Sequence, residues 1–74
     1  MKKGRTLLRV LRAQHGITQE RTAQRANLSA ARYWQIENGY RHPATPREQA
    51  AVAAALGVKV TDIAWPEFPK AQAS

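Results

Sequence analysis

Apolar residues recur at steps of three and four along most of the chain, and each such run ends at a residue suited to stop a helix. Leu7, Leu8, Val10 and Leu11 share one broad side of a helix predicted from about Arg5 to Gln14, with Gly16 as its left-handed stop. Thr18 is the N-cap candidate of a second helix at about 19–26, with Gln19 and Glu20 in its first turn. Its capping box is incomplete, because Arg21 stands where Glu or Gln would close it. Ala23 and Ala26 give this helix a small-residue face, and Asn27 ends it, asparagine being the best substitute for glycine at positive φ. Ser29 caps a third helix at about 30–38, Gly39 closes it, and "GYRHP" is a turn.

The clearest local signal is "TPRE": Thr45 as N-cap, Pro46 at the first helical position and Glu48 completing the box. The fourth helix then runs from Pro46 to Leu56, with Gln49, Val52, Ala53 and Leu56 on one stripe and Gly57 as its stop. Thr61 is expected to open a fifth short helix, "TDIAW", that Pro66 ends. No strand pattern appears. The expectation is an all-α domain of five short helices over residues 1–65, followed by a short, loose tail at 66–74 whose one apolar anchor is Phe68.

Composition narrows the classes. A chain of 74 residues holds one domain with a modest core. With no cysteine there is neither a disulfide framework nor a thiolate zinc site, which fits a reducing cytoplasmic location. "MKKGR" opens like a signal peptide, but Arg9 and Arg12 interrupt the apolar stretch, and no run approaches a membrane span. The net charge of +7 is uneven: residues 1–47 hold ten Lys/Arg against Glu20 and Glu37, a balance of +8. Residues 48–74 hold Lys59 and Lys70 against Glu48, Asp62 and Glu67, a balance of −1. One basic face beside a near-neutral end is the electrostatic footprint of a nucleic-acid binder, although a solvated basic surface gives the same count. No Gly-rich phosphate loop, HExxH or pocketed carboxylate pair supports an enzyme, and no cofactor motif is present. His15 and His42 lack acidic or cysteine neighbours at ligand spacing, so no metal site is expected.

The segment "LRAQHGITQERTAQRANLSAARYWQIENG", followed by "ALGVKVTDI", resembles the Xre-type helix-turn-helix regulators, the Cro and phage-repressor-like family. The resemblance covers roughly Leu8 to Ala64, and it lies in the order and spacing of "LR", "GITQE", Ala23 and "IENG". It implies a lambda-repressor-like five-helix fold and a sequence-specific regulator that reads operator bases in the major groove of double-stranded DNA, most simply as a repressor acting as a homodimer. Its backbone logic is also physical. A small residue is needed where two helices cross steeply, and Ala23 serves; the turn needs a residue that tolerates the left-handed region, and Asn27 serves. Thr22 stands where the family carries a core leucine, Asn27 where it carries glycine, and Tyr33 where it carries a small aliphatic residue. The Tyr33 ring is expected to fill volume that Thr22 gives up, in which case its hydroxyl needs a partner.

At about 100° per residue, Tyr33, Ile36 and Glu37 fall on the side of Ser29, while Ala31, Trp34, Gln35 and Asn38 fall opposite, with Ala30 and Arg32 on the flanks. The outward face is therefore small at its start and polar or aromatic later. Small residues admit the helix end to the major groove, Gln35 matches an adenine edge, and Arg32 matches guanine. Trp34 has three readings: a contact to sugar-phosphate or thymine methyl, a lid over a neighbouring helix, or an anchor for a protein partner.

By the resemblance, Gln19 lies where the family binds phosphate, and Arg41 and His42 lie in a loop the family uses on the DNA backbone. Arg12 and Glu37 match a pair that ties the first helix to the end of the recognition helix. Ile63, Trp65 and Phe68 match a region that often supplies the dimer interface, or else caps the monomer's own core. The rival function is an antitoxin, or a phage or host inhibitor that grips a protein with Trp34, Tyr40 and Trp65 on the same fold.

Overall fold

A computed structural model describes residues 4–67. In chain order it contains β1 (Thr6–Leu7), α1 (Leu8–His15), α2 (Gln19–Arg25), α3 (Ala30–Asn38), α4 (Pro46–Leu56), a 3-10 turn (Val60–Asp62) and β2 (Ile63–Ala64).

Three helices begin with the caps that the sequence shows. The hydroxyls of Thr18, Ser29 and Thr45 accept from the backbone N–H groups of Arg21, Arg32 and Glu48, at 3.0, 3.0 and 3.1 Å. Glu48 closes the box by accepting from the Thr45 N–H at 3.0 Å. All four helices end in the same motif, with a left-handed residue followed by an N–H that reaches back to the last turn. Asn27 is the informative case. It takes φ 61 without being glycine, and the Leu28 N–H then reaches the Ala23 carbonyl at 2.8 Å.

The core is one cluster. Leu8 and Leu11 of α1, Ala23 of α2, Ala26 just after it, Tyr33 and Ile36 of α3, Val52, Ala53 and Leu56 of α4, and Ile63 of β2 are all buried. Thr22 is the sole polar residue buried with them among the described residues, and its hydroxyl donates to the Thr18 carbonyl at 2.9 Å. That back-bond satisfies the group the core would otherwise strand.

Two expectations fail at the ends of the domain. The helix predicted from about Arg5 starts at Leu8, because Thr6–Leu7 pairs in parallel with Ile63–Ala64, in register Thr6 with Ile63 and Leu7 with Ala64. Leu7 and Val10, assigned to the apolar side, are exposed. The fifth helix at "TDIAW" is a single 3-10 turn that runs into a strand. Val58, Val60, Thr61 and Ile63 are β-branched and lose side-chain freedom in a helix, so the segment takes extended backbone as soon as a partner strand is available. The result is a mostly helical fold of four helices and a small strand pair rather than an all-α fold of five.

Candidate nucleic-acid interface

The unit formed by α2, the Asn27 turn and α3 sets one face of α3 outward. Tyr33 and Ile36 face the core, while Ser29, Ala30, Ala31, Trp34 and Asn38 are exposed and Gln35 is half-buried. Methyl groups at the first two helical positions leave the start of α3 sterically open. An open groove beside it, between α2 and α3, is lined by Thr18, Glu20, Arg21, Gln24, Leu28 and Ala30. Further along, the Asn38 amide donates to the Trp34 carbonyl at 2.9 Å, so part of its donor capacity is used within the helix. The Trp34 ring meets the Tyr40 ring edge-on, centroids 5.8 Å apart, and each residue is 45% exposed. Trp34 is thus not a lid over a neighbouring helix. Its side chain stands on the outer face, braced by a residue of the following loop.

Glu37, the only acid on α3, is turned inward. Its carboxylate accepts from Arg12 Nε at 2.8 Å and Arg12 Nη2 at 3.3 Å, from the Gln19 amide, and from the Tyr33 hydroxyl at a long 3.4 Å. Arg12 Nη1 also donates to the Ile17 carbonyl at 3.3 Å, so a single guanidinium ties α1, the turn before α2 and α3 together. The Glu37 side chain is 6% exposed and that of Arg12 19%. Burial, reinforced by the Glu37 carboxylate, pushes the Tyr33 hydroxyl far above its ordinary range, so it stays a neutral donor at any working pH.

Two residues expected at the DNA are committed elsewhere. The Gln19 amide is directed inward to Glu37 rather than outward to a phosphate. The reason is electrostatic: a nearly buried carboxylate is a stronger acceptor than solvent. Arg32, matched to guanine by residue type, spends its guanidinium inside the protein. Nε and Nη2 hold the two Glu48 oxygens at 3.0 and 2.7 Å, Nη1 reaches the His42 carbonyl at 3.2 Å and Gln35 Oε1 at 3.4 Å, and Nη2 also reaches the Pro43 carbonyl at 3.2 Å. Five bonds equal the full donor complement of an arginine, which leaves none for a base. Glu48 feels this partner strongly: the hydrogen bonds from Arg32 hold its carboxyl down at about 2, with the Thr45 backbone N–H adding to the effect.

Sequence reasoning reads Glu48 as a cap only and misses this second role, because nothing periodic links Arg32 to a residue on the next helix. Tyr40 was also absent from the DNA-facing set, although an aromatic just past a helix stop was the available signal. Arg41 and His42 lie exposed in the loop after α3, and Arg41 has a left-handed backbone, φ 69.

The expected dimer surface is redistributed. Ile63 is fully buried in the monomer's own core. Trp65 packs against that core, and its indole N–H donates to the Val60 carbonyl at 3.1 Å. Capping the monomer therefore accounts for both, and Phe68 lies outside the described residues. No described helix is long and apolar enough to cross a membrane.

Residues 5–65 match the family profile described as a helix-turn-helix domain. Among solved structures, the fold is similar to that of the clp gene regulator ClgR from C. glutamicum, at 30% identity over 76% of this chain and 71% of that one, with a TM-score of 0.68. No curated protein matches the chain. The match over residues 5–65 spans most of the sequence, and the chain belongs to the helix-turn-helix domain family.

Proposed function

We propose that this helix-turn-helix protein is a sequence-specific, double-stranded DNA-binding transcriptional regulator that places α3 in the major groove and acts as a repressor by occupying its operator. The observation that carries the reading is the electrostatics of α3. Its one carboxylate is buried under Arg12, Gln19 and Tyr33, so the outward face offers a polyanion methyl, amide and aromatic groups without a negative charge. The basic balance of residues 1–47 and the likeness to ClgR, a clp gene regulator, support the same reading.

In this reading Ser29, Ala30 and Ala31 let the helix end approach, and the Ala31 methyl meets a thymine methyl. Gln35 reads adenine, Trp34 and Asn38 lie along the groove wall, and Arg41 and His42 contact phosphates. A homodimer on paired half-sites supplies the specificity that one short helix lacks.

Selection of duplexes from a random pool tests it. A preferred site should emerge, and Gln35→Ala should lose roughly 1–3 kcal/mol on that site while nonspecific affinity stays nearly intact. The exposed Trp34–Tyr40 pair favours one rival, a protein-gripping antitoxin or inhibitor. That rival takes over if no duplex is selected and Trp34→Ala abolishes capture of a co-purifying protein.

A further inference from the structure

Outside the helix stops, Arg41 is the one non-glycine residue with a left-handed backbone among the described residues. Long L side chains seldom adopt that conformation, and it persists where the surroundings over-determine it. Here both flanks are fixed. Before it, the Tyr40 N–H is held by the Gln35 carbonyl at 2.9 Å. After it, the carbonyls of His42 and Pro43 both accept from Arg32 at 3.2 Å. Arg32 is in turn gripped by Glu48, and Glu48 is anchored by the Thr45 N–H at the start of α4. The Arg41 side chain itself is exposed and makes no hydrogen bond or ion pair among the described residues.

We infer that Arg32 and Glu48 form a latch whose task is to present Arg41 to a DNA phosphate. Arg32 is then a positioning residue, not a reader of guanine. The inference rests on the DNA-binding reading above and deepens it: the loop after α3 is a preset phosphate contact rather than a chance solvated turn. Arginine is required at the hub. Only its planar fork grips a carboxylate with two nitrogens while sending donors to two successive carbonyls; lysine keeps the charge but has a single point of donation. Glu48 is equally specific, since one carboxylate must close the α4 cap and receive the fork.

The test measures affinity for a selected duplex and for a random-sequence duplex across a salt series, for the full chain. Arg41→Gly relieves the backbone and removes the charge. It should weaken both duplexes alike, by roughly eightfold near 0.1 M salt for one lost phosphate contact, and make the slope of log K against log salt shallower by about one. Arg32→Lys preserves net charge yet should do the same, and the variant carrying both changes should fall no further than Arg41→Gly alone. Glu48→Gln, which can still close the capping box, gives a second route to the same cycle if Arg32→Lys does not fold.

Independent, multiplying losses would overturn the latch, as would an unchanged slope in Arg32→Lys. So would a changed preference in Arg32→Lys at a base pair other than the one that Gln35→Ala relaxes, which would make Arg32 a base reader. Steep salt dependence in the parent protein with any of these results sinks only the latch. A parent protein that binds neither duplex sinks the DNA-binding reading and the latch together.

Discussion

Among the described residues, two arginine–glutamate pairs lie at opposite sides of α3, and they are built differently. Arg12–Glu37 is turned into the helix junction, with Glu37 at 6% exposure and surrounded by donors from α1, α2 and α3 itself. Arg32–Glu48 lies nearer the surface, with the two side chains 20% and 19% exposed, and spans α3, the following loop and the start of α4. In the first pair the carboxylate is the hub and collects several donors. In the second the guanidinium is the hub and distributes its donors among several acceptors. The lesson is that one chemical pair serves two ends: a buried carboxylate ties three helices together, and a mostly buried guanidinium ties a loop to the helices on either side of it.

This contrast predicts a graded series of losses. Glu37→Ala strands Arg12 and Gln19 in the junction and should cost about 3–5 kcal/mol, read as a lowered denaturant midpoint. A loss no larger than the one Arg32→Ala produces would make the two pairs equivalent and break the comparison. Arg32→Ala should cost about 2 kcal/mol, because Glu48 keeps its Thr45 bond and can turn to water.

An acid titration sharpens the same point. The Glu48 carboxyl is depressed to about 2, so its contribution to stability is complete above the ordinary carboxylate range and is lost as pH falls through about 2. The stability gap between the parent protein and Glu48→Gln should therefore hold at neutral pH and narrow between about pH 5 and pH 2. A gap that is constant over that window would mean the charge on Glu48 contributes nothing.

Tyr33→Phe should be the mildest change, under about 1 kcal/mol, since its hydroxyl bond to Glu37 is long at 3.4 Å and the ring keeps its buried volume. A larger loss would move Tyr33 from filler to essential donor.

What the sequence revealed follows from how far each interaction reaches along the chain. The caps at Thr18, Ser29 and Thr45 and the stops at Asn27 and Gly57 act within a few residues, and periodicity exposed them. The burial of Tyr33 and Ile36 against the exposure of Ala31 and Trp34 was likewise legible from the angular positions on α3. The strand pair was not, because Thr6 and Ile63 meet across nearly the whole chain, and neither two-residue segment alternates long enough to signal. The same distance hid the partner of Arg32, since residue type suggested guanine and only tertiary structure supplied Glu48. The inward turn of the Gln19 amide was hidden for a related reason: its place at a helix start suggests an outward side chain, while the carboxylate that accepts from it lies on a different helix.

The parallel pairing of Thr6–Leu7 with Ile63–Ala64 also gives the domain a mechanical polarity. Tension entering at Gly4 and leaving at Glu67 drags two strands that point the same way past each other along their length. Their ladder bonds are then loaded together in shear instead of being unzipped one by one. A fused partner pulling on either end acts first on this short clasp. α1 and the buried Ile63 stay seated until the clasp slips.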